Sequence, residues 1–301
     1  MSIGSLLSIG KETDLSLQKQ AGETLAPSVR ASFELTGQVA FITGGSGLLG
    51  MQHAAAIAEL GGFPILLDIN QERGESAAAR ITATFGVKSL FVKTDITSPA
   101  SVAHALQAVL ESFGRVDILI NNAANNPMPV ATSGRHPSRF EGFSLDTWNQ
   151  DLAVGLTGSF LCSQIVGSEM ARAQKGVILN IASDLALIAP DQRIYRVSGA
   201  ADDEQPVKAV TYSVVKAGLV GLTRYLATYW AESGVRANAI CPGGVFNDHE
   251  ETFVHRLTSL IPLGRMARLD EYKAAIAFLC SDASSYMTGS VLVVDGGRSC
   301  W

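Results

Sequence analysis

The stretch Gln38-Val-Ala-Phe-Ile-Thr43-Gly44-Gly45-Ser46-Gly47-Leu48-Leu49-Gly50, running on into Met51-Gln-His-Ala-Ala-Ala-Ile-Ala-Glu-Leu60, decides how this chain folds. After Gln38, residues 39–43 are apolar or β-branched with almost no alternation, which predicts a strand over 38–43 covered on both faces, as in a parallel sheet. The alanine-rich segment 51–60 predicts a helix. Between them, glycines at 44, 47 and 50 permit a tight turn and leave the backbone bare. A helix start behind bare backbone offers free N–H groups and positive partial charge, a cradle for a pyrophosphate. A lone glycine pattern is weak, but strand-turn-helix is the context it requires.

Working outward, the same rhythm repeats. Strand-like apolar runs follow at 63–68, 89–95, 116–122, 176–182, 236–241 and 290–295. Helical stretches lie between them at 71–84, 99–113, 148–173, 213–232 and 270–281. Strand–helix alternation repeated this often implies an α/β, doubly wound Rossmann-type fold with a parallel sheet, in a single domain. That domain is expected over 33–301, preceded by an extension at 1–32 that lacks periodicity. Two stretches interrupt the rhythm, 125–147 and 184–211, each beginning where a strand ends. The carboxyl edge of such a sheet carries the ligand site, so both inserts are expected to border it.

Composition narrows the function classes. Of 301 residues, 47% are hydrophobic and only 17% charged, with 29 glycines, the opposite of a disordered chain. A net charge of −5 gives no general affinity for nucleic acid or an anionic membrane. No apolar run reaches the roughly 18 residues that span a bilayer. The N-terminal residues have no basic segment ahead of an apolar one, so a cytoplasmic protein is expected. Cys162, Cys241, Cys280 and Cys300 have no paired spacing and read as free thiols. No His, Cys and acid cluster has metal spacing, and no metal is expected.

Asp68 ends the second strand-like run. A carboxylate there can accept hydrogen bonds from both hydroxyls of an adenosine ribose and would repel a 2′-phosphate. No Arg or Lys follows until Arg73, so NAD is favoured over NADP. Asp95 ends the third run and is placed to meet the adenine, although it can equally cap the helix after Pro99.

Several short motifs now coincide. They are the glycine turn, Asn121-Asn122-Ala123-Ala124, Ser183 after the fifth run, Tyr212-Ser-Val-Val-Lys216, and Asn238-Ala-Ile-Cys-Pro242-Gly243. Pro262-Leu-Gly-Arg265, Ser285-Tyr-Met-Thr-Gly289 and Val294-Asp-Gly-Gly297 continue the series. In this order and spacing, over roughly 33–297, they resemble the short-chain dehydrogenase/reductase family. The resemblance implies a seven-stranded sheet, a nicotinamide cofactor, and alcohol/carbonyl chemistry. It implies cofactor contacts from Gly44, Ser46, Gly47, Leu48, Leu49, Gly50, Asp68, Asp95, Ile96, Asn122, Ala123, Ala124, Tyr212 and Lys216. The carboxamide end of the cofactor is expected at Pro242, Gly243 and Val245, with Asn247 where the family often has Thr.

The chemistry also follows from the residues. Oxidising an alcohol by hydride transfer needs a base for the hydroxyl proton, and a free tyrosine, pKa about 10, is a poor one. Lys216 stands at i+4 from Tyr212 on one helical face and can stabilise tyrosinate. Bringing the phenol near neutrality takes roughly 4 kcal/mol of differential stabilisation. Ser183 is expected to hold the reacting oxygen. Tyr195 is a rival at the spacing usual in the family, but Gly199 stands four residues on, with no lysine. Tyr212 is therefore the expected acid/base.

Two features depart from the family pattern. The Gly-x-x-Gly-x-x-Gly spacing resembles its extended branch, home of epimerases and dehydratases, with Leu48 where the commoner spacing has glycine. The helix after Trp148 reads Val154-Gly155-Leu156-Thr157-Gly158, with Gly155 where a catalytic Asn usually supports a proton relay. Arg135, Arg193 and Arg196, with Arg139, can bind a carboxylate or phosphate, or can simply be solvated loop charge paired with neighbouring acids. The Asn122–Pro127 tract and the Asp-Gly-Gly-Arg-Ser-Cys-Trp ending are similar to dehydrogenases of bacterial sugar modification. The leading expectation is an NAD-dependent oxidoreductase acting on a small-molecule sugar or sugar derivative. An NAD-retaining epimerase/dehydratase and a non-catalytic NAD-binding protein are the alternatives. A homodimer or homotetramer is expected, with Tyr229 and Trp230 at its interface or in the core.

Overall fold

A computed structural model of the chain describes residues 28–125 and 134–301. Its strands are β1 (Val39–Thr43), β2 (Phe63–Asp68), β3 (Leu90–Lys93), β4 (Ile118–Asn121), β5 (Gly176–Ile181), β6 (Val235–Pro242) and β7 (Val291–Val294). All pair in parallel, in the order β3-β2-β1-β4-β5-β6-β7. The chain winds one way from β1 to β3 and the other way from β4 to β7, so the direction reverses between β1 and β4. Register aligns their ends: Thr43 lies opposite Leu67, and Ile42 opposite Ile120. The last residues of β1, β2 and β4 therefore share one edge, the switch point where an open α/β sheet binds its ligand.

Eight helices of eight or more residues flank the sheet among the described residues: α1 (Leu48–Glu59), α2 (Gln71–Phe85), α3 (Pro99–Phe113), α4 (Leu145–Leu152), α5 (Gly158–Arg172), α6 (Val210–Tyr229), α7 (Glu251–Thr258) and α8 (Lys273–Cys280). Alternate residues of a strand point to opposite faces. Ala40 and Ile42 pack with Ala54 and Ile57 of α1, Ile81 of α2 and Ile276 of α8. Val39 and Phe41 pack on the other face with Val102 and Val109 of α3, Val166 of α5 and Leu226 of α6. Both faces are dry, which is why the strands read as unbroken apolar runs. Each large side chain so buried contributes roughly 1.5–3 kcal/mol. Among the described residues no helix is long and apolar enough to cross a membrane.

Three differences from the expected elements have physical causes. The helix expected over 148–173 is interrupted by a π turn, Ala153–Thr157, centred on Gly155. Such turns insert one residue into the hydrogen-bond ladder and recur at functional sites. Helix α7 falls where no helix is expected, because its Glu-Thr-Phe-Val-His-Arg-Leu-Thr sequence buries only Leu257. Asp95 does not cap α3. Its Oδ1 instead accepts from the amide and hydroxyl of Thr97, and Ser98 is the cap. Residues 1–27 of the extension and 126–133 of the first insert lie outside the described residues. Cys162, Cys241 and Cys280 are buried free thiols and Cys300 is exposed.

Candidate active site

The site begins at Gly44. Its φ of +61° is a left-handed conformation, and a Cβ there would stand 3.1 Å from the Ala123 Cα. At Gly50 a Cβ would collide with the Gly44 carbonyl oxygen. The bare turn is thus required by its own packing as well as by any ligand. The Thr43 hydroxyl accepts from the amides of Asn122 at 2.9 Å and Ala123 at 3.0 Å. Asn122 Nδ2 donates back to the Thr43 carbonyl at 2.9 Å. These bonds clamp the ends of β1 and β4 together and hold the turn open above them.

Above this edge lies a cleft of about 1020 Å³. Gly44, Gly47, Leu48, Leu49 and Gly50 line its floor, and Asp68, Asp95 and Ile96 one end. Asn122, Ala123 and Ala124 line the middle, and Ser183, Tyr212 and Lys216 the inner wall. Pro242, Gly243, Val245 and Asn247 close the far side. Ser46 sits behind the wall and donates to Asp68 Oδ2 at 2.5 Å. The far side is braced from the C-terminal third of the chain. The Tyr272 hydroxyl donates to the Gly243 carbonyl at 2.9 Å, and Val245 forms a parallel bridge with Ala267.

Asp68 is not a helix cap, since Asn70 caps α2. It is instead the centre of a small polar cluster. Arg73 Nη2 lies 3.4 Å from Asp68 Oδ2, and Arg73 Nε donates to the Ser46 hydroxyl at 2.9 Å. Arg73 lies five residues beyond Asp68 in sequence, and α2 brings it back over the carboxylate. The first basic side chain after β2 is therefore beside the ribose end of the cleft, not remote from it.

At the inner wall, Tyr212 and Lys216 lie one turn apart on α6, and Ser183 follows β5. Lys216 Nζ donates to the Ile181 carbonyl at 2.7 Å and stands 5.8 Å from the Tyr212 ring centre. Burial, reinforced by the Lys208 ammonium, pushes Lys216 down to about 8. Burial, with Asp184 adding to it, also pushes the Tyr212 phenol up, while Ser183 and Arg298 oppose the rise. Lys216 is therefore not enough by itself to make tyrosinate accessible. In a dry wall, desolvation moves both groups toward neutrality. A further positive charge beside the phenol is needed, and an oxidised nicotinamide ring carries one.

Sequence reading missed several charged neighbours. Lys208 lies 3.9 Å from the Tyr212 ring centre, at i−4, mirroring Lys216 at i+4. Asp184 and Arg298 form a buried ion pair of 2.8 Å, and Ser183 Oγ donates to Asp184 Oδ1 at 2.8 Å. Ser183 Oγ also accepts from the Leu185 amide at 3.2 Å, which fixes its oxygen at the mouth of the wall. Tyr195 lines the same cleft and packs on Phe253, but burial pushes its phenol up to about 12 and no lysine accompanies it.

The arginines of the inserts are placed elsewhere. Arg193 pairs with Asp191 at 2.6 Å on the surface and Arg139 with Glu141 at 3.3 Å, each two residues along the chain. Arg135 is exposed, and the Arg196 carbonyl accepts from Arg256. Arg135, Arg193 and Arg196 do not line the cleft, because local acids and solvent satisfy loop charges more cheaply than burial. Arg73, at the ribose end, and Arg298, at the inner wall, are the arginines that do line it.

Comparison with known proteins finds relatives over most of the chain. The model of a family described as enoyl-(acyl carrier protein) reductase matches residues 46–299. D-threitol dehydrogenase of Mycolicibacterium smegmatis is 37% identical over 275 residues, 90% of this chain and 96% of that protein. NAD-dependent glycerol dehydrogenase of Listeria innocua is 30% identical over 270 residues, 88% of this chain and 95% of that protein. The crystal structure of a gluconate 5-dehydrogenase from Burkholderia cenocepacia, in complex with NADP and tartrate, superposes with a TM-score of 0.78 at 28% identity. That match covers 91% of this chain and 100% of that one.

Proposed function

The chain belongs to the short-chain dehydrogenase/reductase family, and we propose that it is an NAD-dependent dehydrogenase for a secondary alcohol of a polyol or related sugar derivative. The observation that carries this reading is the shared cleft, with the glycine cradle and Asp68 at one end and Ser183, Tyr212 and Lys216 at the other. The residues fit a nicotinamide dinucleotide: Gly44, Gly47 and Gly50 leave bare backbone along the cleft, and Asp68 stands at the end where ribose hydroxyls need an acceptor. Gly44, Gly47 and the start of α1 would hold the pyrophosphate, Asp68 the ribose, and Val245 the carboxamide. When bound, the nicotinamide supplies the hydride acceptor and a positive charge.

The protein's own residues do the rest. The Ser183 hydroxyl donates a hydrogen bond to the substrate oxygen and fixes it beside Tyr212, which leaves the substrate's own hydroxyl proton facing the phenolate. Tyr212 takes the hydroxyl proton during oxidation and returns it during reduction. Lys216, tethered to the Ile181 carbonyl, holds charge beside the phenol. Asp184 and Arg298 add fixed polar groups to the substrate end, which suits a hydroxyl-rich molecule better than an acyl chain. The polyol and hydroxy-acid names of the relatives point the same way. Phe160 of α5 and Tyr225 and Tyr229 of α6 are exposed apolar side chains, and we assign them to a self-association face. Light scattering giving a monomer would remove that assignment.

The test is a panel of polyols, free sugars and phosphorylated sugars with NAD or NADP, followed at the absorbance of the reduced nicotinamide. Steady reduction of NAD by a polyol is expected. Product formation without net reduced nucleotide would instead favour an epimerase, and saturable NAD binding without turnover a binding protein.

A further inference from the structure

A proton taken up by Tyr212 must leave a wall from which water is largely excluded. Two buried carboxylates stand near it. Asp184 is committed to Arg298 and to the Ser183 hydroxyl. The other is Asp151, on the last turn of α4, which no expectation from sequence singled out. Thr211 Oγ1, on the residue before Tyr212, donates to Asp151 Oδ2 at 2.6 Å. Asn125 Nδ2 donates to Asp151 Oδ1 at 3.2 Å. Asp151 forms no ion pair among the described residues, and two donors leave lone pairs on both its oxygens unused.

Between Asp151 and the wall lies a small cavity of about 10 Å³, bordered by Asp151, Gly155, Thr211, Tyr212 and Lys216. That is room for one water molecule, and its polar border supplies the two to four partners such a water needs. Gly155 helps to shape the space: a Cβ at that position would stand 2.5 Å from Val215 Cγ1. Any longer side chain there would have to displace α6 or fill the cavity. The cavity reaches Ala124 and Asn125, which also line the main cleft.

We propose that Asp151 is the proton exit of this site, acting through a water held between it and Tyr212 and Lys216. The inference rests on the dehydrogenase reading. In the oxidising direction the substrate O–H bond breaks and its proton goes to the Tyr212 oxygen. The two electrons of the C–H bond would leave as hydride, for which a bound nicotinamide would be the acceptor. The Tyr212 proton then passes to the water, the water gives one to the Asp151 carboxylate, and Asp151 releases it to bulk solvent. One proton leaves for each alcohol oxidised, and the reverse sequence serves reduction. Asp151 is a positioning and relay residue, because it borders the small cavity and not the main cleft.

The test is Asp151→Asn, which keeps size and hydrogen-bonding shape but cannot take up a proton. In steady state with the best alcohol of the panel, kcat is expected to fall about tenfold or more, with KM and the nucleotide Kd changed less than about threefold. The solvent deuterium isotope effect on kcat should rise, and added formate should restore part of the rate. A folded variant with wild-type kcat, pH profile and isotope effect overturns the inference, as does a loss confined to KM. Should Asp151→Asn fail to fold, Thr211→Val keeps the carboxylate but removes a donor to it. The pH midpoint of kcat is then expected to move upward, and an unmoved midpoint overturns the inference. Wild-type enzyme without turnover on any alcohol overturns the dehydrogenase reading and this inference together. An active wild type beside an unaffected variant overturns this inference alone.

Discussion

Arg73→Ala is expected to sharpen the preference for NAD. In the protein Arg73 lies 3.4 Å from Asp68, and its own side chain is 58% exposed. A pair so open to water contributes at most about 1 kcal/mol, so removing Arg73 frees Asp68 for the ribose at little cost. NAD affinity should stay level or tighten by up to about fivefold. A 2′-phosphate would lose its one guanidinium partner at this end of the cleft. A hydrogen bond to a charged group is worth roughly 1.5–3 kcal/mol, which is on the order of a 10- to 100-fold loss of NADP affinity. Asp68→Asn should act the other way, because it removes the ribose acceptor and the repulsion of phosphate together. Titrating each variant with NADH and NADPH by nicotinamide fluorescence yields the four dissociation constants. If Arg73→Ala weakened both nucleotides equally, the guanidinium would be structural and the reasoning wrong.

Gly155→Asn is expected to overpack the protein, since its Cβ would meet Val215 Cγ1 at 2.5 Å. The cost is about 1–3 kcal/mol, a drop of a few degrees in Tm, and Val215→Ala in the same chain should recover most of it. A single variant as stable as wild type would contradict the packing. His53, wholly buried on α1, should make stability fall in acid. Burial lowers its pKa from 6.5 to about 4, so between those values the unfolded chain binds more protons. Its contribution is therefore complete above pH 6.5 and is lost as pH falls toward 4, by about 1.4 kcal/mol per pH unit. Chemical denaturation across that range should show the slope in wild type and a shallower one in His53→Leu.

The sheet was legible in sequence because both its faces are dry. Phe41 and Ile42 point into different clusters, yet both are apolar, so β1 reads as one run. The glycine cradle and Asp68 were legible because their spacing is local. The Tyr212–Lys216 pair was legible for the same reason, being one helical turn. What escaped notice joins distant parts of the chain. Asp184 meets Arg298 across 114 residues, and Asp151 meets Thr211 across 60. No periodicity marks either contact. Arg73 is the first basic residue after Asp68, and the helical turn that brings it back to the carboxylate does not show in that spacing. The insert arginines erred the other way: Arg193 has its acid two residues away, and that neighbour, not a ligand, takes its charge. The resemblance to sugar-modification dehydrogenases finds no echo in the relatives described, whose names are those of threitol, glycerol and gluconate dehydrogenases.

The central claim is that Tyr212, set between Ser183 and Lys216, moves the substrate proton. It is tested most directly by comparing Tyr212→Phe with Tyr195→Phe in NAD reduction by the best polyol of the panel. Tyr212→Phe should lower kcat by about 10²–10⁴-fold while NADH still binds, and Tyr195→Phe should keep kcat within a few-fold of wild type. Normal turnover in Tyr212→Phe, or its loss in Tyr195→Phe alone, would contradict the account.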